Sequence, residues 1–257
     1  MNFIYHIKIL KAGAEQLPKS EFLKFLVNHY FAKKNRWSKP KLLIFHPKKL
    51  NKTPIILREG TADKEVFLDM LAFERYMPEQ NIKSIKTIFD LGANIGITSA
   101  HLVTRFPFSR ILAVEANKQN YFLAKKNTLF KKNQIEILHG AVWHYNGVVS
   151  IAGEREDSFK VTKEKSNFKK TKSYTIKALM DQFKCSKIDL MKMDIEGAEE
   201  QVILLDKPGW LKKVRFLLLE IHKSSLFNPI CKKLRNYGFT VKKSKNHWSG
   251  IYAYQKN

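Results

Sequence analysis

The spacing of apolar and polar positions changes character near residue 85. Upstream, EFLKFLVNHYFAKK (21–34) places Phe22, Leu23, Leu26, Val27, Tyr30 and Phe31 near one stripe of a helix. Ser20 precedes it as a candidate N-cap. KLLIFHP (41–47) predicts a short strand stopped by Pro47, and IILREG (55–60) predicts another. TADKEVFLDMLAFERYM (61–77) predicts a helix with Thr61 as its cap.

From Lys86 onward strands and helices alternate. KTIFDL (86–91), RILAVEA (110–116), QIEILHGAVW (134–143), GVVSIAG (147–153), IDLMKMD (188–194) and VRFLLLEIH (214–222) predict strands. Residues 97–105, 118–131, 196–205 and 228–237 predict helices, and FTVKK (239–243) with GIYAYQ (250–255) predicts a closing hairpin. Nearly continuous apolar strands imply a parallel sheet covered on both faces. Ligands of such sheets lie beyond the carboxyl ends of the strands. The chemistry is therefore expected at 90–97, 115–117, 139–143, 194–199 and 220–223. Residues 154–173, EREDSFKVTKEKSNFKKTKS, show no clean period and read as a mobile loop, either a lid or a solvated insertion.

Composition narrows the class. A chain of 257 residues suits one large domain or a domain with an extension, and 44% hydrophobic residues suffice for a packed core. Lys and Arg number 47 against 23 acids, a net charge of +24. That excess favours anionic partners such as nucleic acid, acidic glycans, nucleotide sugars or membrane headgroups, although a lysine-rich coding bias explains it equally well. Lys19, Lys24, Lys33, Lys34 and Arg36 border the 21–34 stripe. That helix therefore has two readings: packed on the domain, or resting on anionic lipid. Two cysteines, Cys185 and Cys231, support neither a disulfide framework nor a zinc site. No run reaches the roughly 18 apolar residues of a membrane span, and the first residues do not resemble a secretory signal. The expectation is a cytoplasmic protein, with peripheral contact to an anionic membrane left open and the oligomeric state unread.

The glycine turn carries the chemistry. Counted from Gly92, a dinucleotide fingerprint needs glycines at positions three and six, where this chain has Asn94 and Ile97. The missing second glycine is the one that lets backbone approach a pyrophosphate. No Gly-Lys-Ser/Thr follows, so the P-loop pattern fails as well. What remains is Asp90-x-Gly92-x-Asn94-x-Gly96, with Glu115 ending the next strand. A cationic ligand without phosphates fits, and S-adenosylmethionine, with its sulfonium and ammonium, is one. Glu115 can accept hydrogen bonds from both ribose hydroxyls. Its alternative role is an acid favourable to a helix N-terminus.

DLGANIG (90–96), VEAN (114–117), AVW (141–143), KMDIEGAE (192–199) and LLLEIH (217–222) together resemble the FkbM-type methyltransferases. LREGTADKEVF (57–67) resembles the R-x-G-T-x-D segment ahead of that family's first core strand. The resemblance implies an α/β class I methyltransferase fold. This is a Rossmann-like, mostly parallel seven-stranded sheet in the order 3-2-1-4-5-7-6, with an antiparallel last strand and helices on both faces. It implies a methyltransferase domain over 55–257 and a helical and strand extension over 1–54. It also implies S-adenosylmethionine as cofactor. Asp90, Gly92, Ala93, Asn94 and Gly96 would line the methionine end, Glu115 with Ala116 and Asn117 the ribose, and Gly140, Ala141 and Val142 the adenine. Asp194 would face the methyl group. The implied acceptor is a hydroxyl of a sugar, glycan or small metabolite, as in surface-polysaccharide or natural-product pathways. The chain's charge is compatible with an anionic or lipid-linked one.

A second constellation supplies candidate catalytic groups. Asp194 ends a strand, and Glu196 and Glu199 are expected in the first turn of the following helix, where acids complement its dipole. Glu220 and His222, two apart on the neighbouring strand, share a face. A hydroxyl acceptor must lose its proton during in-line displacement, and His222 is a candidate general base, with Asp194, Glu196 and Glu220 around it. The same cluster offers ligands for a divalent cation, but no metal site is assigned. Two other functions compete. An RNA methyltransferase fits the charge, yet the chain has no Asn/Asp-Pro-Pro-aromatic segment, no Pro-Cys pair and no appended RNA-binding module, so no specific nucleic acid is expected. A non-catalytic basic adaptor in surface-glycan assembly is disfavoured by the intact Asp90, Gly92, Gly96 and Glu115.

Overall fold

A computed structural model describes residues 3–32, 39–78, 82, 84–152, 160–162, 169–205, 208–245 and 249–255. The chain opens with two helices, α1 (Phe3–Gln16) and α2 (Lys19–Tyr30), then strands β1 (Leu42–Phe45) and β2 (Ile55–Arg58) and helix α3 (Asp63–Leu68). The alternating region follows: β3 (Thr87–Leu91), α4 (Ile97–Arg105), β4 (Arg110–Glu115), α5 (Lys118–Asn127) and β5 (Ile135–His139). A second group of strands comes next: β6 (Ala141–Val142), β7 (Gly147–Ala152), β8 (Lys160–Thr162) and β9 (Lys169–Tyr174). The chain closes with α6 (Ile176–Gln182), β10 (Ile188–Met193), β11 (Val214–Glu220), α7 (Phe227–Asn236), β12 (Phe239–Lys243) and β13 (Gly250–Gln255).

The main sheet has seven strands in the order β12-β13-β11-β10-β3-β4-β5. Numbered along the chain within the sheet and read from the other edge, this is the expected 3-2-1-4-5-7-6. Strand β13 is antiparallel to β11 and β12, and the remaining pairs are parallel. Period-two alternation sends Phe89, Leu91, Leu112, Val114, Met191 and Leu217 to one face, against α6 and α7. It sends Ile88, Ile111, Leu190, Phe216 and Leu218 to the other, against Leu102 and Val103 of α4. Both faces are apolar, which is why the strands read as unbroken apolar runs. A third cluster joins Ile9, Phe25, Phe45, Leu57 and Phe67 to Ile95, Ile97, Ala100 and Leu123, so residues 1–54 pack directly on α4 and α5.

Several expected elements differ. Helix α1 carries no strong sequence signal and was not expected. Helix α2 begins at Lys19 with Pro18 at its N-cap, so Ser20 lies inside it and does not cap. Its buried residues are Phe25 and Asn28, while Leu23, Val27, Tyr30 and Phe31 face outward. The apolar stripe was too wide to belong to one face. Lys33, Lys34 and Arg36 lie outside the described residues. Thr61 is not the N-cap of α3, a position held by Ala62. Its hydroxyl donates to the Arg58 carbonyl. The helix expected to run to residue 77 passes into a π-helical turn, Asp69–Phe73, and stops at Glu74 in the left-handed region. The helix expected over 118–131 ends at Asn127, followed by a 3-10 turn, Leu129–Lys131. In 134–143 the expected strand with its exit loop is β5, and the exit adds β6 to a separate four-stranded sheet ordered β6-β9-β7-β8.

The largest revision concerns 154–173, where β8 and all but the last residue of β9 fall; the rest of the expected loop, 154–159 and 163–168, lies outside the described residues. Strand β9 buries Thr171 and Ser173 and exposes Lys170 and Lys172. Its period of two is written in hydroxyls and lysines, which an apolar pattern does not register. Residues 196–205 also depart from the expected helix. Glu196 and Gly197 form a left-handed turn, and the segment Glu200–Leu205 is π-helical.

The R-x-G-T-x-D segment acts as a clasp. Arg58 donates from Nε and Nη2 to the two carboxylate oxygens of Asp63 at 2.8 and 2.6 Å, and from Nη2 to Asn120 Oδ1 at 2.8 Å. Both ends of the pair are buried, and Asn120 belongs to α5. Replacing Asp63 by Ala strands a buried guanidinium. The expected cost is about 3–5 kcal/mol of stability, read as a shift of the urea unfolding midpoint.

Candidate active site

The turn after β3 is built for close approach. Gly92 has φ +78°, and a Cβ there would lie 1.7 Å from the Asp194 carbonyl oxygen. Only glycine lets the exits of β3 and β10 meet this closely. The Gly92 and Ala93 amides both donate to the Val114 carbonyl, at 2.9 and 3.0 Å. Asn94 adopts φ +50° and donates its amide to Glu115 Oε2 at 2.8 Å. Gly96, at φ +81°, backs against Ala124 of α5 and leads into α4.

Glu115 accepts two backbone hydrogen bonds, from Asn94 at Oε2 and from Asn117 at Oε1, the latter at 2.7 Å. Burial outweighs these bonds and pushes its pKa up to about 7. The Asn117 side chain caps α5 by accepting from the Gln119 and Asn120 amides. The Ala116 carbonyl pairs with His139 Nε2 at 3.2 Å. The Gly140 amide donates to the Glu115 carbonyl at 2.9 Å, and a Cβ at Gly140 would collide with the Tyr174 ring. The Ala141 and Val142 side chains lie in the apolar core.

A cleft of about 660 Å³ opens over the carboxyl ends of β3, β10 and β11. Gly92, Ala93, Asn94, Thr98, Lys192, Asp194, Glu196 and Glu220 line one side, and Glu65, Val66, Asp69, Arg75 and Tyr76 line the other. Asp90 and Glu115 are not among the lining residues. Asp90 is fully buried, accepts from the Ser99 hydroxyl and pairs with Lys192 Nζ at 3.3 Å. It braces the turn from behind. Gly96, Ala116, Asn117, Gly140, Ala141 and Val142 also lie outside the lining.

Lys192 and Tyr76 were not read from the sequence. Lys192 is 2% exposed. Its ammonium donates to the Gly92 carbonyl, pairs with Asp90, lies 3.7 Å from Asp194 and sits 4.8 Å from the centre of the Tyr76 ring. A charge inside an apolar strand such as IDLMKMD is itself a signal, since it demands buried partners. Tyr76 carries no comparable signal and is placed by the turn at Glu74. Its hydroxyl lies 2.8 Å from Asp194 Oδ2 and 2.7 Å from Glu220 Oε2. One hydroxyl proton serves one carboxylate, so the second contact calls for a proton on the acid pair. The Asp194 carboxyl holds that proton only below its raised pKa. Burial, joined by the charges of Glu220 and Glu196, outweighs Lys192 and His222 and pushes its pKa up to about 6.

His222 follows β11 rather than lying on it, yet it reaches the same cluster as Glu220. Its Nδ1 lies 2.9 Å from Oε1 of the buried Glu199, and its Nε2 lies 3.2 Å from Glu196 and 3.5 Å from Asp194. Donor atoms of Asp194, Glu220 and His222 all fall within 4.8 Å of one another. Burial opposes charge on the ring, but the hydrogen bonds and charges of Glu196, Glu199 and Asp194 prevail and push the pKa up to about 11. An imidazolium at neutral pH cannot accept a proton, so the ring is a counter-charge here, not the general base suggested by its ordinary pKa.

The family model of the methyltransferase FkbM domain matches residues 90–241, more than half of the chain. The chain belongs to the FkbM methyltransferase family. Its central sheet is that of a class I methyltransferase. Among solved structures it is similar to methyltransferase FkbM from Methylobacillus flagellatus KT, at 16% identity and TM-score 0.46 over 70% of this chain and 46% of that one. It thus spans about half the length of that relative. It is also similar to precorrin-6y C5,15-methyltransferase from Geobacter metallireducens GS-15, at 13% identity and TM-score 0.44 over 72% and 85% of the two chains. A third is Aeropyrum pernix fibrillarin with natively bound S-adenosyl-L-methionine, at 12% identity and TM-score 0.42 over 87% and 96%. No curated protein matches the sequence. The matched FkbM range contains the glycine turn, Glu115 and the acid cluster. The opposite wall of the cleft, Glu65 to Tyr76, precedes it.

In this FkbM domain Lys192 and Asp90 are mutually dependent. Lys192→Met is expected to cost about 3–5 kcal/mol by leaving the Asp90 carboxylate unpaired. Adding Asp90→Asn should recover much of that loss, which a double-mutant cycle in urea measures.

Proposed function

We propose that this family member is an S-adenosylmethionine-dependent O-methyltransferase acting on a hydroxyl of a sugar, glycan or small metabolite. The observation that carries the reading is one cleft bordered by a turn lacking the pyrophosphate glycine and by a carboxyl group, Asp194, poised near neutral pH. The cleft is acid-rich in a chain of net charge +24, which suits a ligand bearing a sulfonium and an ammonium. It disfavours phosphate in the same space, and with it the RNA alternative.

S-adenosylmethionine supplies an electrophilic methyl group on sulfur. The protein's residues do the rest. The 92–96 turn and Glu115 would hold the cofactor's methionine end and ribose. The cleft would place an acceptor oxygen in line with the methyl group that the bound cofactor supplies. Asp194 would take the proton of the acceptor hydroxyl. His222, held charged, offsets Glu196 and Glu199 and keeps Asp194 in place.

Calorimetry on the purified chain tests the first step. S-adenosylmethionine should bind at micromolar concentration, NAD should not compete, and Glu115→Ala should weaken binding at least about tenfold. The carboxylate form of Glu115 accepts ribose hydroxyls, so affinity should rise with pH through about 7 and level above it. No binding by folded protein would refute the proposal.

Asp194 acts when deprotonated. With an acceptor in hand and S-adenosylmethionine saturating, kcat should therefore fall as pH drops through about 6 and be flat above. Asp194→Asn should lower kcat by roughly 10²–10⁴ while cofactor affinity changes little. A pH profile unchanged in that variant would remove Asp194 as the base.

A further inference from the structure

Helices α1 and α2 form an antiparallel pair: His6 meets Tyr30 at 2.9 Å, and Gly13 lies against the Phe22 ring. The inner face of α2 buries Phe25 and Asn28. Its opposite face is apolar as well. Leu23 is 65% exposed, Val27 50% and Phe31 77%, with Tyr30 beside them. Positions 23, 27, 30 and 31 are spaced i, i+4, i+7 and i+8, one continuous stripe. Ile7 and Leu10 of α1 are also exposed. A helix packed on one side normally presents polar residues on the other, and this one does not.

The charges around the stripe identify what covers it. Lys8, Lys11, Lys19 and Lys24 are exposed on the two helices. Lys24 Nζ lies 5.6 Å from the Phe45 ring centre and Lys8 Nζ 5.9 Å from that of Phe73. The one acid of α2, Glu21, turns inward and binds the His46 amide and Nδ1, both at 2.6 Å. An apolar stripe rimmed by lysines, with an aromatic ring at its end, matches the interface of an anionic bilayer. No described helix is long and apolar enough to cross one.

We infer that the outer face of the α1–α2 pair docks this protein on an anionic membrane surface, with Leu23, Val27 and Phe31 entering the headgroup region. The inner side of the helix pair touches the segment that supplies residues 65–76 of the cleft. Lys64 Nζ donates to the His29 carbonyl at the end of α2, next to Glu65 of the cleft. Tyr5 stacks on Phe73, 5.5 Å between ring centres, two residues from Arg75 of the same wall. The inference is independent of the methyl acceptor's identity.

The test is co-sedimentation of the full chain with phosphatidylcholine vesicles, with and without about 30% phosphatidylglycerol. Binding is expected to the anionic vesicles and to weaken with salt. The variant Leu23→Ser/Val27→Ser/Phe31→Ser should bind roughly tenfold or more weakly. It should keep its circular dichroism and melting temperature, because all three side chains are exposed. Phe122→Ser/Leu129→Ser, at exposed apolar positions elsewhere, should bind like wild type. Three results would overturn the inference. One is wild type remaining in the supernatant. Another is equal binding by the triple variant, meaning net charge alone attracts the lipid. The last is a wild-type dimer that the triple variant dissociates, meaning a second copy covers the face.

Discussion

The structure turns on one buried cation. Lys192 sits in the middle strand of a sheet covered on both faces, where an unpaired charge would be costly. Its partners include the Gly92 carbonyl, Asp90 and Asp194. Each belongs to a different part of the site. Gly92 is the turn, Asp90 is the brace that also holds Ser99 of α4, and Asp194 lines the cleft. Satisfying one ammonium therefore fixes the relative positions of the turn and the acid cluster. The same ammonium keeps Asp194 from rising further than about 6 against the pull of burial and its acidic neighbours.

Charge is segregated at the scale of the whole molecule. The chain carries +24, yet the cleft gathers Glu65, Asp69, Asp194, Glu196 and Glu220. Inside it, Arg75 pairs with Asp69 at 3.0 Å, and behind it His222 pairs with Glu199 and reaches Glu196 of the lining. Such a division favours anions at the outer surface and cationic or neutral ligands in the cleft.

The strands of the main sheet, the glycine turn and the acid cluster were legible because each has a local signature, whereas the strand order came from the family resemblance. Both-face burial writes itself as apolar runs, as in IDLM and VRFLLL. The close approach at Gly92 writes itself as glycine. The failures have local reasons too. Strand β9 alternates Thr171 and Ser173 with lysines, so its period carries no apolar signal. Helix α2 is apolar on two faces, so periodicity alone could not say which face is inside. Tyr76 reaches the cleft through a left-handed turn at Glu74, where the glycine or asparagine that would mark such a turn is replaced by glutamate.

The sequence by itself determined the α/β architecture, the absence of a pyrophosphate turn and three of the acids that line the cleft, Asp194, Glu196 and Glu220. These depend on residue type and spacing within short windows. Only the tertiary structure decided that Asp90 braces rather than lines the cleft, and that His222 is held as a cation. It alone brought Lys192 and Tyr76 into the site. Those outcomes depend on which charges burial brings together from distant segments, and a proton's position follows from that assembly, not from the side chain that carries it.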